Sequence, residues 1–213
     1  MVSYLKREGH ELKEPFDIVV FEGVYPPTED TYLLVDTIRI DPTDTVLDVG
    51  CGTGLMTLLA AKQARRVVSI DISYIATQNT MENLRRNNLD HLAAVYQSDL
   101  LSAVGLETKF SLIFFNPPYL PSDEESTDMD QALVGGEQGY EITQRFVRES
   151  AQHLEKGGRV YLVASTLSNI EAVRETLVDC GFLVERVSEM TLFFEKIQVL
   201  QGILKEGHKE TVL

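Results

Sequence analysis

Apolar residues change their spacing repeatedly along this 213-residue chain. From residue 41 onward, short runs rich in β-branched and aromatic residues alternate with longer stretches whose apolar positions recur every three or four residues. The short runs predict strands over Thr45–Gly50, Arg66–Ile72, Leu92–Asp99, Phe110–Asn116 and Arg159–Ser165. The longer stretches predict helices over Gly54–Ala64, Ser73–Asn88, Gln138–Lys156 and Asn169–Cys180. Ile142, Phe146, Val147, Ala151 and Leu154 make one helical stripe, and Ile170, Val173, Leu177 and Cys180 make another. Segments such as Val46–Val49 and Ser111–Phe115 are apolar without alternation, as strands are when helices cover both faces of a parallel sheet. The alternation predicts an α/β fold with a doubly wound, mostly parallel sheet.

The C-terminal part breaks the rhythm. Phe182–Met190 and Glu195–Lys205 read as strands, and the linker Thr191-Leu192-Phe193-Phe194 leaves no room for a crossover helix. They are expected to pair as an antiparallel hairpin. Ahead of the first strand, Thr28–Ile40 reads as a helix, with Pro26 and Pro27 at its start and Glu29 and Asp30 at the positive end of its dipole. Ile18–Phe21 is a candidate strand. The predicted organisation is an N-terminal extension, 1–27, and one domain, 28–213.

Composition narrows the function classes. With 44% apolar residues the chain can bury one full-sized core. Acidic residues outnumber basic ones 33 to 19, a formal charge of −14. Affinity for phosphate backbones comes from basic residues that release counterions, so this balance disfavours nucleic acid; it reads first as a solubility or salt-adaptation feature and second as suited to a basic protein partner. No apolar run approaches the ~20 residues that span a bilayer, and the first ten residues do not form a signal peptide. The expectation is a cytoplasmic protein with no membrane contact. Cys51 and Cys180 are far apart and His10, His91, His153 and His208 lack ligand spacing, so no metal site is expected and the histidines read as ordinary surface or helix residues. Cys180 reads as a small buried apolar residue.

Candidate chemistry clusters at strand ends. Asp48-Val49-Gly50-Cys51-Gly52-Thr53-Gly54 is a strand end, a glycine turn and a helix start. A dinucleotide loop needs a third glycine three residues after the second; Leu55 occupies that place. Asp48 beside the tight turn is poised for an ammonium group and would repel a pyrophosphate. That combination fits the amino-acid end of S-adenosylmethionine. Asp71, 21 residues beyond Gly50, can accept from both ribose hydroxyls, and Asp99 after the third strand can take the adenine amino group. Each acid alone is often a helix cap or turn residue. Three of them at successive strand ends outline one crevice.

Asn116-Pro117-Pro118-Tyr119 follows the fourth strand. A planar amide or aromatic amine is a poor nucleophile because its nitrogen lone pair is delocalised. The Asn116 side-chain oxygen and the Pro117 carbonyl can each accept one N–H of such a group, favouring its pyramidalisation and supporting the charge that develops. Pro117 and Pro118 would hold the acceptors rigid, and Tyr119 would offer a face for stacking. Asn116, Pro117 and Tyr119 are therefore the catalytic candidates, with Pro118 in substrate binding.

Together with Tyr25-Pro26-Pro27-Thr28-Glu29-Asp30-Thr31 and Gly135-Gly136-Glu137-Gln138-Gly139, these motifs resemble the HemK-type glutamine methyltransferases of translation release factors. The resemblance runs from about Val24 to Leu204. It implies a Rossmann-like class I methyltransferase domain whose seven-stranded sheet ends in an antiparallel hairpin. It also implies N5-methylation of the glutamine in the Gly-Gly-Gln motif of a class-1 release factor. Thr31, Asp48, Gly50, Asp71 and Asp99 match cofactor-contacting positions of that family, with Gly52, Gly54, Ile72 and Leu100 as their neighbours in the same loops, and Asn116 contacts both cofactor and target amide. The chain lacks the helical domain that precedes the catalytic one in bacterial members. It is thereby similar to the archaeal and eukaryotic branch, which implies a heterodimer with a small zinc-binding activator protein. Two other readings stay open. One is an N6-adenine or other nucleic-acid amino-methyltransferase with the same Asn-Pro-Pro-Tyr chemistry. The other is a cofactor-binding scaffold for a partner protein.

Overall fold

A computed structural model of the chain describes residues 16–122 and 134–206. The acidic stretch Ser122–Asp130, apart from Ser122, lies outside the described residues. In chain order the elements are α1 (Glu29–Thr37), β1 (Thr45–Val49), α2 (Leu55–Gln63), β2 (Arg66–Asp71), α3 (Tyr74–Arg86), β3 (Ala93–Gln97), β4 (Phe110–Phe115), α4 (Glu141–His153), β5 (Leu154–Ser165), α5 (Ile170–Asp179), β6 (Phe182–Leu192) and β7 (Glu195–Leu204). They build one seven-stranded sheet in the order β3-β2-β1-β4-β5-β7-β6. The first five strands are parallel, and β7 runs antiparallel to both β5 and β6. Winding departs in opposite directions from the neighbours β1 and β4, which opens a crevice beyond their C-terminal ends.

Both sheet faces are covered, as the unalternated strands require. One core gathers Leu34, Leu58, Leu84, Leu112, Phe114 and Val163 beneath α1, α2 and α3. The other gathers Ile113, Phe146, Val147, Leu162, Val173 and Leu177 beneath α4 and α5. Among the described residues no helix is long and apolar enough to cross a membrane.

Three expectations change. Helix α4 is shorter than the predicted Gln138–Lys156, because Leu154 at the end of its stripe pairs with Phe110 in the sheet. A bulge follows, and Arg159 is the next residue in register, opposite Leu112. His153, the last residue of α4 as the reading allows, is buried, its Nδ1 3.1 Å from the Thr108 carbonyl. The terminal hairpin is tighter than predicted: Thr191 pairs with Lys196 and Leu192 with Glu195, so Phe193 and Phe194 alone form the turn. Cys180, expected to be buried, is only half-buried at the edge of the second core, because it follows the last turn of α5.

The candidate strand Ile18–Phe21 is extended but joins no sheet. Its backbone is paired instead by a ladder of asparagines, four residues apart, at one side of α3. Asn87 accepts from the Asp17 N–H and donates to the Asp17 carbonyl. Asn83 accepts from the Val19 N–H at 2.9 Å and donates to the Val19 and Thr53 carbonyls. Asn79 accepts from the Phe21 N–H and donates to the Val19 carbonyl. Primary amides reproduce a strand's donor–acceptor pair, so the segment has its hydrogen bonds without a neighbour in the sheet. The strap thereby ties the chain ahead of α1 to the glycine turn. Asn83→Ala leaves the Val19 N–H and the Thr53 carbonyl without their partner, while Asn79 still serves the Val19 carbonyl, and is expected to cost about 3 kcal/mol of stability. Urea unfolding checks the loss.

Candidate active site

The crevice beyond β1 and β4 holds a cavity of about 460 Å³, within the usual range for small-molecule sites. Thr31, Asp48, Gly50, Gly52, Asp71, Ile72, Asp99, Leu100, Asn116, Pro117 and Pro118 all line it. Gly54 and Tyr119 lie just outside its lining. The glycine turn and the Asn-Pro-Pro-Tyr segment meet because β1 and β4 are adjacent, Val49 opposite Phe115.

Local geometry explains the residues of the turn. Gly54 caps α2 with φ +83°, and a Cβ there would meet Thr80 at 2.9 Å. Thr80 itself donates to the Gly52 carbonyl. Asp71 Oδ2 accepts from the Gly52 N–H at 2.9 Å and Oδ1 from the Ser73 N–H at 2.8 Å. Each oxygen keeps a lone pair for a further donor, as a ribose diol would supply. Burial raises the Asp71 pKa.

Asp48 is the electrostatic oddity of the cavity. It is fully buried and accepts from the Thr57 hydroxyl at 2.6 Å, while no Lys or Arg among the described residues pairs with it. Burial, reinforced by the neighbouring charge of Asp71, pushes its pKa up to about 7. A carboxylate in this state gains strongly from an incoming cation. Cys51 is buried beside it, and burial lifts its thiol pKa well above the ordinary range, which disfavours the thiolate form.

Asp30, also in the cavity lining, gathers the hydrogen bonds around Thr28, Thr31 and Tyr119. Its Oδ1 accepts from the Thr28 hydroxyl, the Thr31 N–H and the Thr31 hydroxyl, and its Oδ2 accepts from the Tyr119 hydroxyl at 3.3 Å. The Thr31 hydroxyl spends its proton on Asp30 and so acts as acceptor toward Asn116, whose Nδ2 lies 3.3 Å away. This fixes the orientation of the Asn116 amide. Its Oδ1 is left buried without a partner, and the residue is part of the cavity lining. Tyr119 is 9% exposed and packs in the first core, so its ring is not a face of the cavity, and its contribution is the hydroxyl on Asp30. Burial raises its pKa and that of Tyr25. Behind this loop, Gly135 donates to the Leu120 carbonyl, and a Cβ on it would stand 2.4 Å from the Pro118 and Gly139 carbonyls. Gly135–Gly139 is a buttress whose backbone fits against Asn-Pro-Pro-Tyr.

Sequence reasoning missed two residues of the site. Asp30 counted as a helix-dipole acid, yet it is 2% exposed and faces the cavity; the threonines on either side of it were the available signal. Arg145 on α4 ion-pairs with Asp99 and, at 3.0 Å, with Glu149, which accepts from the Leu101 N–H. Nothing in the spacing of residues 99 and 145 announces that pair.

The strand order, the closing antiparallel hairpin and the glycine turn at the switch point define a class I methyltransferase domain. The chain belongs to the family described as Methyltransferase small domain, which matches residues 23–191. A Methanocaldococcus jannaschii protein assigned by name as a protein N5-glutamine methyltransferase is 36% identical over 84% of this chain and 91% of its own length. Mouse "Methyltransferase HEMK2" is 32% identical, over 76% of this chain and 80% of its own length. The release factor glutamine methyltransferase of Rhodopirellula baltica is 31% identical over 76% of this chain, which spans 60% of that longer protein. Among solved structures, the Encephalitozoon cuniculi Mtq2-Trm112 complex, responsible for methylation of the eRF1 termination factor, superposes with a TM-score of 0.65. It shares 26% identity and covers 86% of this chain and 99% of that one. A Pyrococcus furiosus methyltransferase superposes at 0.70 with 21% identity, covering 89% of each chain, a likeness of fold.

Proposed function

We propose that this chain methylates the side-chain nitrogen of a glutamine in a protein, the Gly-Gly-Gln glutamine of a class-1 release factor. The observation that carries the proposal is the unpartnered Asn116 Oδ1, a buried acceptor on a cavity-lining residue whose orientation Thr31 and Asp30 enforce. A buried acceptor without a donor costs about 1–3 kcal/mol, a cost that a substrate N–H removes. Relatives named for glutamine methylation fit that reading.

The cavity fits S-adenosylmethionine: Asp48 lacks a cation, Asp71 offers two lone pairs beside the glycine turn, and Asp99 stands at the far wall. When bound, that cofactor supplies an electrophilic methyl on a sulfonium. The residues of the chain do the rest by placement. Asn116 Oδ1 takes one N–H of the target amide and the Pro117 carbonyl takes the other. Their pull localises the nitrogen lone pair and offsets the positive charge that develops there. The proton that the methylated nitrogen then loses passes to solvent, because neither amide oxygen is basic enough to keep it. Pro117 and Pro118 keep the acceptors from turning aside, which is catalysis by orientation.

A small activator, zinc-binding in this reading, would cover the β3 edge. Ile72, Tyr74, Ile75, Leu92 and Tyr96 are exposed there, and β3 carries no charged residue. The opposite edge, β6, bears Glu185, Arg186 and Glu189, the charges with which proteins guard an open edge.

The test is incubation with methyl-labelled S-adenosylmethionine, with and without such an activator, offering release factor, duplex DNA and RNA. The expected product is one methyl on the Gly-Gly-Gln glutamine, located by peptide mass. Label entering nucleic acid alone would overturn the proposal.

A further inference from the structure

The turn of the β6–β7 hairpin breaks two local rules at once. Phe193 and Phe194 are 101% and 97% exposed, where a soluble protein gains nothing from bare aromatics. Two-residue hairpin turns favour Asn-Gly, whose positive φ angles match the twist of the strands. Neither phenylalanine has positive φ. The sequence therefore accepts a poorer turn in order to display two benzyl groups, and such local conflicts are expected at functional sites.

Placement says what they serve. Because β7 runs antiparallel to β5, its first residue lies at the C-terminal end of the parallel strands, where the cavity opens. Glu195, next to the turn, accepts from the Ser165 hydroxyl at 2.5 Å, and its charge acts on both Tyr25 and Tyr119. The Thr166 N–H donates to the Lys196 carbonyl and the Lys196 N–H to the Thr166 hydroxyl, pinning the base of the hairpin to the end of β5. The half-exposed Leu167 follows there. Two acids that are not buried, Glu29 and Glu195, act on Tyr25 at this rim, as does the buried Asp30.

We infer that the Phe193–Phe194 turn docks the protein substrate beside its methyl-accepting glutamine, gripping an apolar side chain with basic neighbours that match the acidic rim. This rests on the glutamine reading above and adds to it a second point of attachment. A polypeptide anchored at the hairpin and at Asn116 would enter the cavity in one direction.

The test uses the full chain with its activator and an intact release factor. The double variant Phe193→Ser/Phe194→Ser is expected to weaken binding of the factor, and to raise its KM, by roughly 10- to 100-fold. The kcat should stay within threefold, with S-adenosylhomocysteine affinity unchanged. A second variant, Phe193→Asn/Phe194→Gly, installs the favoured turn, so an equal loss there assigns the effect to the side chains and not to a melted hairpin. Unchanged factor binding in both variants would overturn the assignment. So would loss of self-association or of activator capture with KM intact, since the turn would then serve another occupant. If the unaltered chain neither binds nor methylates the factor, the glutamine reading falls and this one with it. If it does both and the variants match it, the docking role alone falls.

Discussion

Asn116→Ala is expected to lower kcat by roughly 10³-fold while leaving the Kd for S-adenosylhomocysteine within threefold of its original value. The side chain donates to Thr31 at one end and leaves a buried, unpartnered acceptor at the other, so truncation removes one of the two acceptors that would grip the target amide. The loss belongs to the transition state, because the nitrogen becomes positive as it attacks and Oδ1 is already in place to meet it. A ground-state role would instead raise KM and spare kcat. Single-turnover kinetics with calorimetry for cofactor binding separate the two. A large loss of cofactor affinity, with the chemical step intact, would show that Asn116 holds the donor and not the acceptor.

The second large effect is a dependence on pH centred on Asp48. Its carboxyl must be ionised to receive an ammonium, and in the free chain burial holds its pKa at about 7. Cofactor affinity is therefore expected to fall roughly eightfold between pH 7.5 and 6, with about one proton released per ligand at the lower pH. Calorimetry in buffers of different ionisation enthalpy reads that proton directly. The same residue costs the free protein stability. A folded pKa above the unfolded one means that stability is full below about 4 and drains away as pH rises through about 7. Its amplitude over that window is about 4 kcal/mol. Asp48→Asn should flatten this part of the stability profile, raise the melting temperature of the ligand-free chain at pH 7.5, and weaken cofactor binding by roughly 100-fold. A variant with unchanged affinity would remove Asp48 from the ammonium site.

How legible this was from sequence depends on what kind of force places each residue. Strands and helices were legible to within a few residues because burial on both sheet faces imposes long apolar runs, as in Ser111–Phe115. The glycine turn and Asn-Pro-Pro-Tyr were legible because few residues satisfy their backbone demands. What stayed hidden depends on partners distant in the chain. Leu154 has the spacing of a helix stripe, but Phe110 claims it for the sheet. Tyr119 has the profile of an exposed stacking platform, but Asp30, 89 residues away, takes its hydroxyl. Arg145 finds Asp99 across 46 residues. The asparagines 79, 83 and 87 do form a visible series at helical spacing. Polar series usually face water, however, and only the fold shows a strap lying along this one.

That strap has a consequence for synthesis. Its three anchoring asparagines follow it by 58 to 70 residues. At the pace of a ribosome, a few to twenty residues per second, the segment waits roughly 3–14 s for them. Through that interval Phe16 and Ile18 stay uncovered and the backbone between them is a ready template for a stray strand. Asn83 also holds the Thr53 carbonyl, so the glycine turn is finished when α3 closes over both. Ligand supplied during expression would act on that last step, drawing newly made chains out of the pool still able to clump.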